Sequence, residues 1–147
     1  MQWKPRNQVL RAAMLSVLLC GSTSWAQAEL AVVVHPGNPA TALDLEEVKR
    51  IFMGKSNNFP GGQKVTPVDQ RDGSPVKESF ITKVLQKDAA QLTSYWATLI
   101  FSGKGKPPAA VGNDADVINW VKDHPDGLGY VDAAAVNNSV KVLLRVP

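Results

Sequence analysis

The run Leu30-Ala31-Val32-Val33-Val34-His35 constrains this chain more than any other stretch. Its valines are β-branched and favour an extended backbone. No polar residue alternates with the apolar ones, so the run reads as a strand buried on both faces. Pro36-Gly37-Asn38-Pro39 then ends the strand, predicted near 31–35, with turn residues. A strand of this kind needs cover above and below, and the rest of the chain must supply it.

Helical patterns follow at intervals. Asp44 with Glu47 three residues on reads as a capping box. Leu45, Val48, Ile51 and Phe52 then recur at helical spacing until Gly54, predicting a helix over 45–53. Val76, Phe80, Val84 and Leu85 predict a second helix over 76–86, with Pro75 suited to its first position. Asp88 caps a third over 89–100, carrying Leu92, Tyr95, Trp96, Leu99 and Ile100. Asn113 or Asp114 caps a fourth over 115–123, and His124-Pro125 stops it. Strands are predicted at 65–68, 128–131 and 140–146, with Pro67 near an edge or end. Residues 56–63 and the stretch holding Gly103, Gly105, Pro107 and Pro108 read as loops. Strands and helices alternate. The predicted class is α/β, a mainly parallel sheet flanked by helices.

Residues 1–28 read as a leader. Lys4, Arg6 and Arg11 precede the apolar run from Ala12 to Leu19, and Ala26-Gln27-Ala28 is a small-x-small cleavage site. These are the parts of a secretory signal peptide, and the run is too short to cross a bilayer. Cleavage after Ala28 would leave a periplasmic domain over 29–147. Cys20 is either an apolar residue of the leader or a lipidation site. Leu19 before it is not the small residue that lipidation uses. The chain has 16 Lys+Arg and 13 Asp+Glu; without the 3 leader cations the count is 13 against 13. The apparent basicity is thus a targeting feature, and no basic tract speaks for nucleic acid. Cys20 is the only cysteine, so 29–147 holds no disulfide and no thiol chemistry.

The stretch Asp69-Gln70-Arg71-Asp72-Gly73-Ser74-Pro75-Val76-Lys77 links a predicted strand to a predicted helix. A helix start exposes unpaired N–H groups and carries partial positive charge, so it suits an anion. Gly73 allows close backbone approach, Ser74 offers a hydroxyl, and Arg71 supplies a charged fork that matches phosphate or carboxylate oxygens. The N–H groups of Val76 and Lys77 would complete the donors, with the Lys77 ammonium adding charge. The structural alternative is a turn at Asp72-Gly73, an N-cap at Ser74 and a solvated Arg71. On the residues alone both readings stand.

Four stretches carry a resemblance: "LDLEEVKRIFMGK" (43–55), "VTPVDQRDGSPVKESF" (65–80), "YWATLIFSGKGKPP" (95–108) and "VINWVKDHPDGLGYVD" (117–132). In this order they resemble the substrate-binding proteins of bacterial phosphate ABC transporters, a branch of the type II periplasmic binding proteins. The resemblance implies a short, single-lobe member that binds phosphate or a similar oxyanion at Arg71, Gly73, Ser74, Val76 and Lys77, without catalysis or cofactor. It also implies a transporter or second protein as partner. Ser74 matches the motif's serine. Arg71 stands one residue closer to Gly-Ser than the usual arginine, whose place Gln70 takes. Pro75 and Val76 replace the Gly-Thr that usually follows the serine. These departures keep open another function, a protein-interaction module with a degraded ligand site.

Other chemistry is sparse. His35 could reach the same sheet edge as residues 71–74, or simply bond backbone at a strand end. His124 suits a helix C-terminus. Two isolated histidines give no metal-ligand spacing. Trp96 and Trp120 read as packing residues, and Ser74 has no base near it in the chain.

Overall fold

The computed structural model describes residues 29–147. The leader features, including Cys20 and the cleavage site after Ala28, lie outside the described residues. Five strands form one sheet in the order β3-β2-β4-β1-β5: β1 is Leu30–Val34, β2 Thr66–Gln70, β3 Ala109–Gly112, β4 Gly127–Asp132 and β5 Lys141–Val146. β2 pairs in parallel with both β3 and β4, whereas β1 pairs antiparallel with β4 and with β5. Four strands therefore point one way and β1 alone points the other. The α/β class with a mainly parallel sheet is as expected.

Helices cover both faces: α1 (Leu45–Phe52), α2 (Pro75–Phe80), α3 (Ala89–Phe101) and α4 (Asp114–Asp123). All five residues of β1 are buried, and they alternate between two cores. Leu30, Val32 and Val34 face α1 and α2, along with Leu128 and Tyr130 of β4. Ala31 and Val33 face α4 through Val117, Ile118 and Val121. The unbroken apolar run thus has the two-sided cover it requires.

The helix starts form as their sequences predict. Asp44 and Glu47 exchange backbone-to-side-chain bonds at 2.8 Å and 2.8 Å. Asp88 with Gln91 and Asn113 with Asp116 make the same reciprocal box. Gly54 closes α1 at φ +71°, in the left-handed region where glycine has no Cβ to clash.

Two elements differ from expectation. The second helix is α-helical only to Phe80 and continues as a π-helical turn over Ile81–Leu85, ending at Gln86 with φ 55°. β3 lies where only a loop was expected, because Ala109-Ala110-Val111-Gly112 is short, half-exposed and lacks a long apolar run. β3 begins opposite Val68, so Pro67 has no β3 neighbour that needs its missing N–H.

Candidate functional site

Three strand ends and two helix starts meet at one rim of the sheet. β2 ends at Gln70, β3 at Gly112 and β4 at Asp132, while α2 starts at Pro75 and α4 at Asp114. The loop Arg71–Ser74 crosses this rim. Its backbone is held: the Arg71 N–H donates to the Gly112 carbonyl at 2.9 Å, and the Ser74 N–H donates to the Arg71 carbonyl at 3.3 Å. Gly73 turns the chain at φ +81° with no atom within 4 Å of where a Cβ would stand.

A buried polar network lies under the loop, with Gln70 at its centre. Gln70 is 1% exposed. Its Nε2 donates to Asp114 Oδ1 at 2.7 Å and to the Tyr130 carbonyl at 3.0 Å, while its Oε1 accepts the Ser74 hydroxyl at 2.7 Å. Ser74 Oγ in turn accepts the Lys77 N–H at 3.4 Å, which is the N-cap bond. Asp69 Oδ1 accepts the Tyr130 hydroxyl and the Gln70 N–H. The Lys77 ammonium reaches Asp69 Oδ2 at 3.1 Å and Asp72 Oδ1 at 2.8 Å. Among the described residues, no buried side-chain nitrogen or oxygen lacks a partner. Beneath the network, the rings of Phe80 and Tyr130 stack at 3.8 Å and Phe52 meets both edge-on. Tyr130 thus buries its ring in the apolar core and spends its hydroxyl on Asp69.

Charge in this cluster is coupled to its burial. Burial pushes the Tyr130 hydroxyl up, and the Asp69 carboxylate adds to the rise. Burial alone would lower Lys77, but the hydrogen bond to Asp72 and the charge of Asp69 outweigh it and hold the ammonium above its usual value. Asp72 is held below the usual carboxylate range by its hydrogen bond to Lys77 and by that positive charge.

The candidate residues gather at this rim in different states. Arg71 and Gly73 are exposed, and among the described residues the Arg71 guanidinium makes no hydrogen bond or ion pair. Ser74 caps α2 as expected, but it is 6% exposed and its hydroxyl is given to Gln70. Val76 is half-buried against the core cluster. The Lys77 side chain turns back toward the loop before the helix, where its ammonium bridges the carboxylates of Asp69 and Asp72. His35 is a correction. β1 runs antiparallel, with Val34 opposite Leu128 at the start of β4, so His35 stands at the far end of the sheet from residues 71–74. Its Nδ1 accepts the Gly37 N–H at 2.9 Å, the backbone role.

Asp69, Gln70, Asp114 and Tyr130 were not singled out from the sequence as a group. Strand parity signals that Gln70 shares the buried side of β2 with Val68, but a polar residue at a strand end carries no such message by itself. Asp114 comes from 44 residues away and Tyr130 from 60, and only the parallel pairing of β2 with β4 brings them together. Among the described residues, no group of three or more His, Cys, Asp and Glu could hold a metal ion.

Sheet order, helices on both faces and a helix-start loop at the carboxyl ends of parallel strands define an α/β domain with a mainly parallel sheet. Solved structures that share this fold include phosphate-transport receptors. One, assigned as a phosphate ABC transporter substrate-binding protein from Clostridium perfringens and solved with bound phosphate, superposes with a TM-score of 0.62 at 22% identity, over 79% of this chain and 45% of that one. An ABC-type phosphate transport receptor from Vibrio cholerae gives 0.62 at 21% identity, over 80% and 46%. PstS from Borrelia burgdorferi gives 0.60 at 16% identity, over 79% and 47%. The chain therefore spans less than half the length of the structures it resembles. No family model and no curated protein matches its sequence.

Proposed function

We propose that this chain is a non-catalytic periplasmic solute-binding protein that holds phosphate or a similar oxyanion over the start of α2. The observation that carries this reading is the state of Arg71. It is the exposed guanidinium at the rim where strand ends and helix start converge, and it makes no ion pair while the polar groups beneath it are all bonded. An anion there would meet the Arg71 fork, the N–H of Val76 and the positive end of the helix, with Gly73 leaving room for approach. The Ser74 hydroxyl would join only by turning from Gln70, and the Lys77 charge is already shared with Asp69 and Asp72. The fold shared with phosphate-transport receptors supports the same ligand class.

This surface is open to water, where charged hydrogen bonds are screened. Tight binding therefore calls for a second surface, from a transporter, another protein or another lobe. The test is calorimetry with inorganic phosphate on the purified protein and on Arg71→Ala, with folding checked by thermal melting. Loss of roughly 1.5–3 kcal/mol of binding is expected from removing one charge-assisted contact. Equal affinity for both proteins removes Arg71 from the site. A second reading, a protein-interaction module, is favoured by α3. Its sequence AAQLTSYWATLIF carries no charge, and Ile100 and Phe101 are 56% and 96% exposed. If neither protein binds phosphate at millimolar concentration, the interaction reading takes its place.

A further inference from the structure

The protein holds a second concavity away from the rim. It opens near the amino-terminal ends of β2 and β3, where helices from both faces of the sheet reach past the strands. Its volume is about 670 Å³, within the range of small-molecule sites and far larger than an inorganic oxyanion needs. Trp96 of α3 and Trp120 of α4 line it, with Leu99 and Pro67 completing apolar walls. Trp120 is fixed in place. Its ring stacks on His124 at 3.8 Å, and His124 Nδ1 lies 2.6 Å from the Trp120 carbonyl. Trp96 is braced against Gly54, where an added Cβ would stand 3.3 Å from the indole.

The mouth is cationic. Lys55, Lys104 and Lys106 line the cavity, and no Asp or Glu does. Among the described residues, none of these three ammonium groups makes a hydrogen bond or ion pair. Two of them are anchored by the same device. Lys55 and Lys104 each follow a left-handed glycine closing a helix, Gly54 at φ +71° and Gly103 at φ +70°. Each donates its backbone N–H back into that helix, to the Arg50 carbonyl at 2.8 Å and the Leu99 carbonyl at 2.9 Å. Cations at helix ends complement the dipole. That accounts for two lysines, but not for Lys106, nor for a lining without an acid, the nearby Asp126 carboxylate accepting the Thr66 hydroxyl at 2.7 Å.

We propose that this cavity binds a small organic anion with a flat apolar body, of the aromatic carboxylate kind, its ring against Trp96 and Trp120 and its charge toward Lys55, Lys104 and Lys106. The chemistry selects this class. Inorganic phosphate would leave the indole walls in water, an organic cation would be repelled by three like charges, and a neutral ring would leave those charges uncompensated. The site is independent of the helix-start site, which lies at the carboxyl end of the same strand.

The probe is 1-naphthoate, titrated into the purified protein and followed by calorimetry and amide chemical shifts. Saturable binding is expected, with shifts at Gly54–Asn57 and Lys104–Ala109. The neutral alcohol 1-naphthalenemethanol should bind more weakly. The double variant Lys104→Gln/Lys106→Gln, at two exposed positions, should weaken naphthoate by roughly fivefold or more while leaving the alcohol unchanged. Lys55→Gln, on a different segment, should weaken it in the same direction. Arg71→Ala should leave it unaltered, which separates this site from the proposed oxyanion site. Absence of saturation at millimolar naphthoate, equal affinity for acid and alcohol, indifference to the lysine variants, or shifts confined to Arg71–Lys77 would each overturn the proposal.

Discussion

Gln70 shows how one side chain can decide the character of a site. Its amide satisfies Asp114, Ser74 and the Tyr130 carbonyl at once, in a position almost closed to water. Replacing it by Leu keeps the volume near but leaves a carboxylate, a hydroxyl and a carbonyl each short of a bond. A loss of about 2–4 kcal/mol is expected, read as a lower urea midpoint with unchanged slope. Tyr130 makes a different test at the same scale. Its raised pKa means that the fold favours the neutral hydroxyl. The stabilisation is complete below the unfolded tyrosine value of about 10 and is lost as pH rises above it. Lys77, also raised, has the same sign, so its contribution fades in the same alkaline direction. Urea midpoints should therefore hold up to about pH 9.5 and fall as pH rises from about 10 to 12, and fall less in Tyr130→Phe than in the wild type. An identical slope in both proteins would mean that Tyr130 does not contribute. Asp72, lowered, contributes only above its usual value, and because its side chain is 98% exposed its acid-side effect is slight.

The elements are held by packing and caps of quite different strength. α4 lies so close to β4 that a Cβ on Gly129 would meet Val117 Cγ1 at 2.5 Å and Val121 Cγ2 at 3.3 Å. Gly129→Ala must push the helix away from the sheet, and a loss of about 1–3 kcal/mol is expected. A thermal melt matching the wild type would show that the layer gives way at no cost. α3 is the contrast. Of its thirteen residues only Trp96 is buried, so its attachment rests on few side chains and on its cap. Asp88→Ala removes the acceptor for the Gln91 N–H at 2.7 Å. About 1 kcal/mol of helix stability should go with it, seen as faster amide exchange in α3 while the β1 amides keep their protection. The same light anchoring leaves the α3 surface apolar and available, which is why it bears on both the interaction reading and the organic-anion cavity.

At the scale of the whole molecule, the sheet divides the chemistry between two ends. The carboxyl ends of β2, β3 and β4 carry the helix starts, Arg71 and the buried network. The opposite ends of β2 and β3 carry the lysine-rimmed cavity. β1, reversed between β4 and β5, is buried along its whole length and serves neither end. The described domain presents its rim as an open surface. Its fold occurs in the matched receptors as part of chains about twice as long, since 45–47% of each is covered.

Local chemistry was legible in the sequence. The capping box at Asp44, the Asp88, Asn113 and Ser74 caps, Pro75 at a first helical position and the two-sided first strand all depend on residues within a few positions of one another. Short range is what a linear pattern records. The α/β class followed from their order. Tertiary structure alone decided the rest. The reversal of β1, which sends His35 to the wrong end for an anion, is a property of strand pairing and leaves no local mark. β3 exists because β2 offers it an edge, its own four residues being too weakly patterned to announce a strand. The π-helical turn after Phe80 seats Ile81, Val84 and Leu85 in the core, a fit that helical periodicity alone could not distinguish from a continued α-helix. The partners of Gln70 were out of sight for the same reason: Asp114 and Tyr130 reach it only because parallel strands bring distant segments to a common rim, and there the low dielectric makes each unmet bond expensive enough to fix the network.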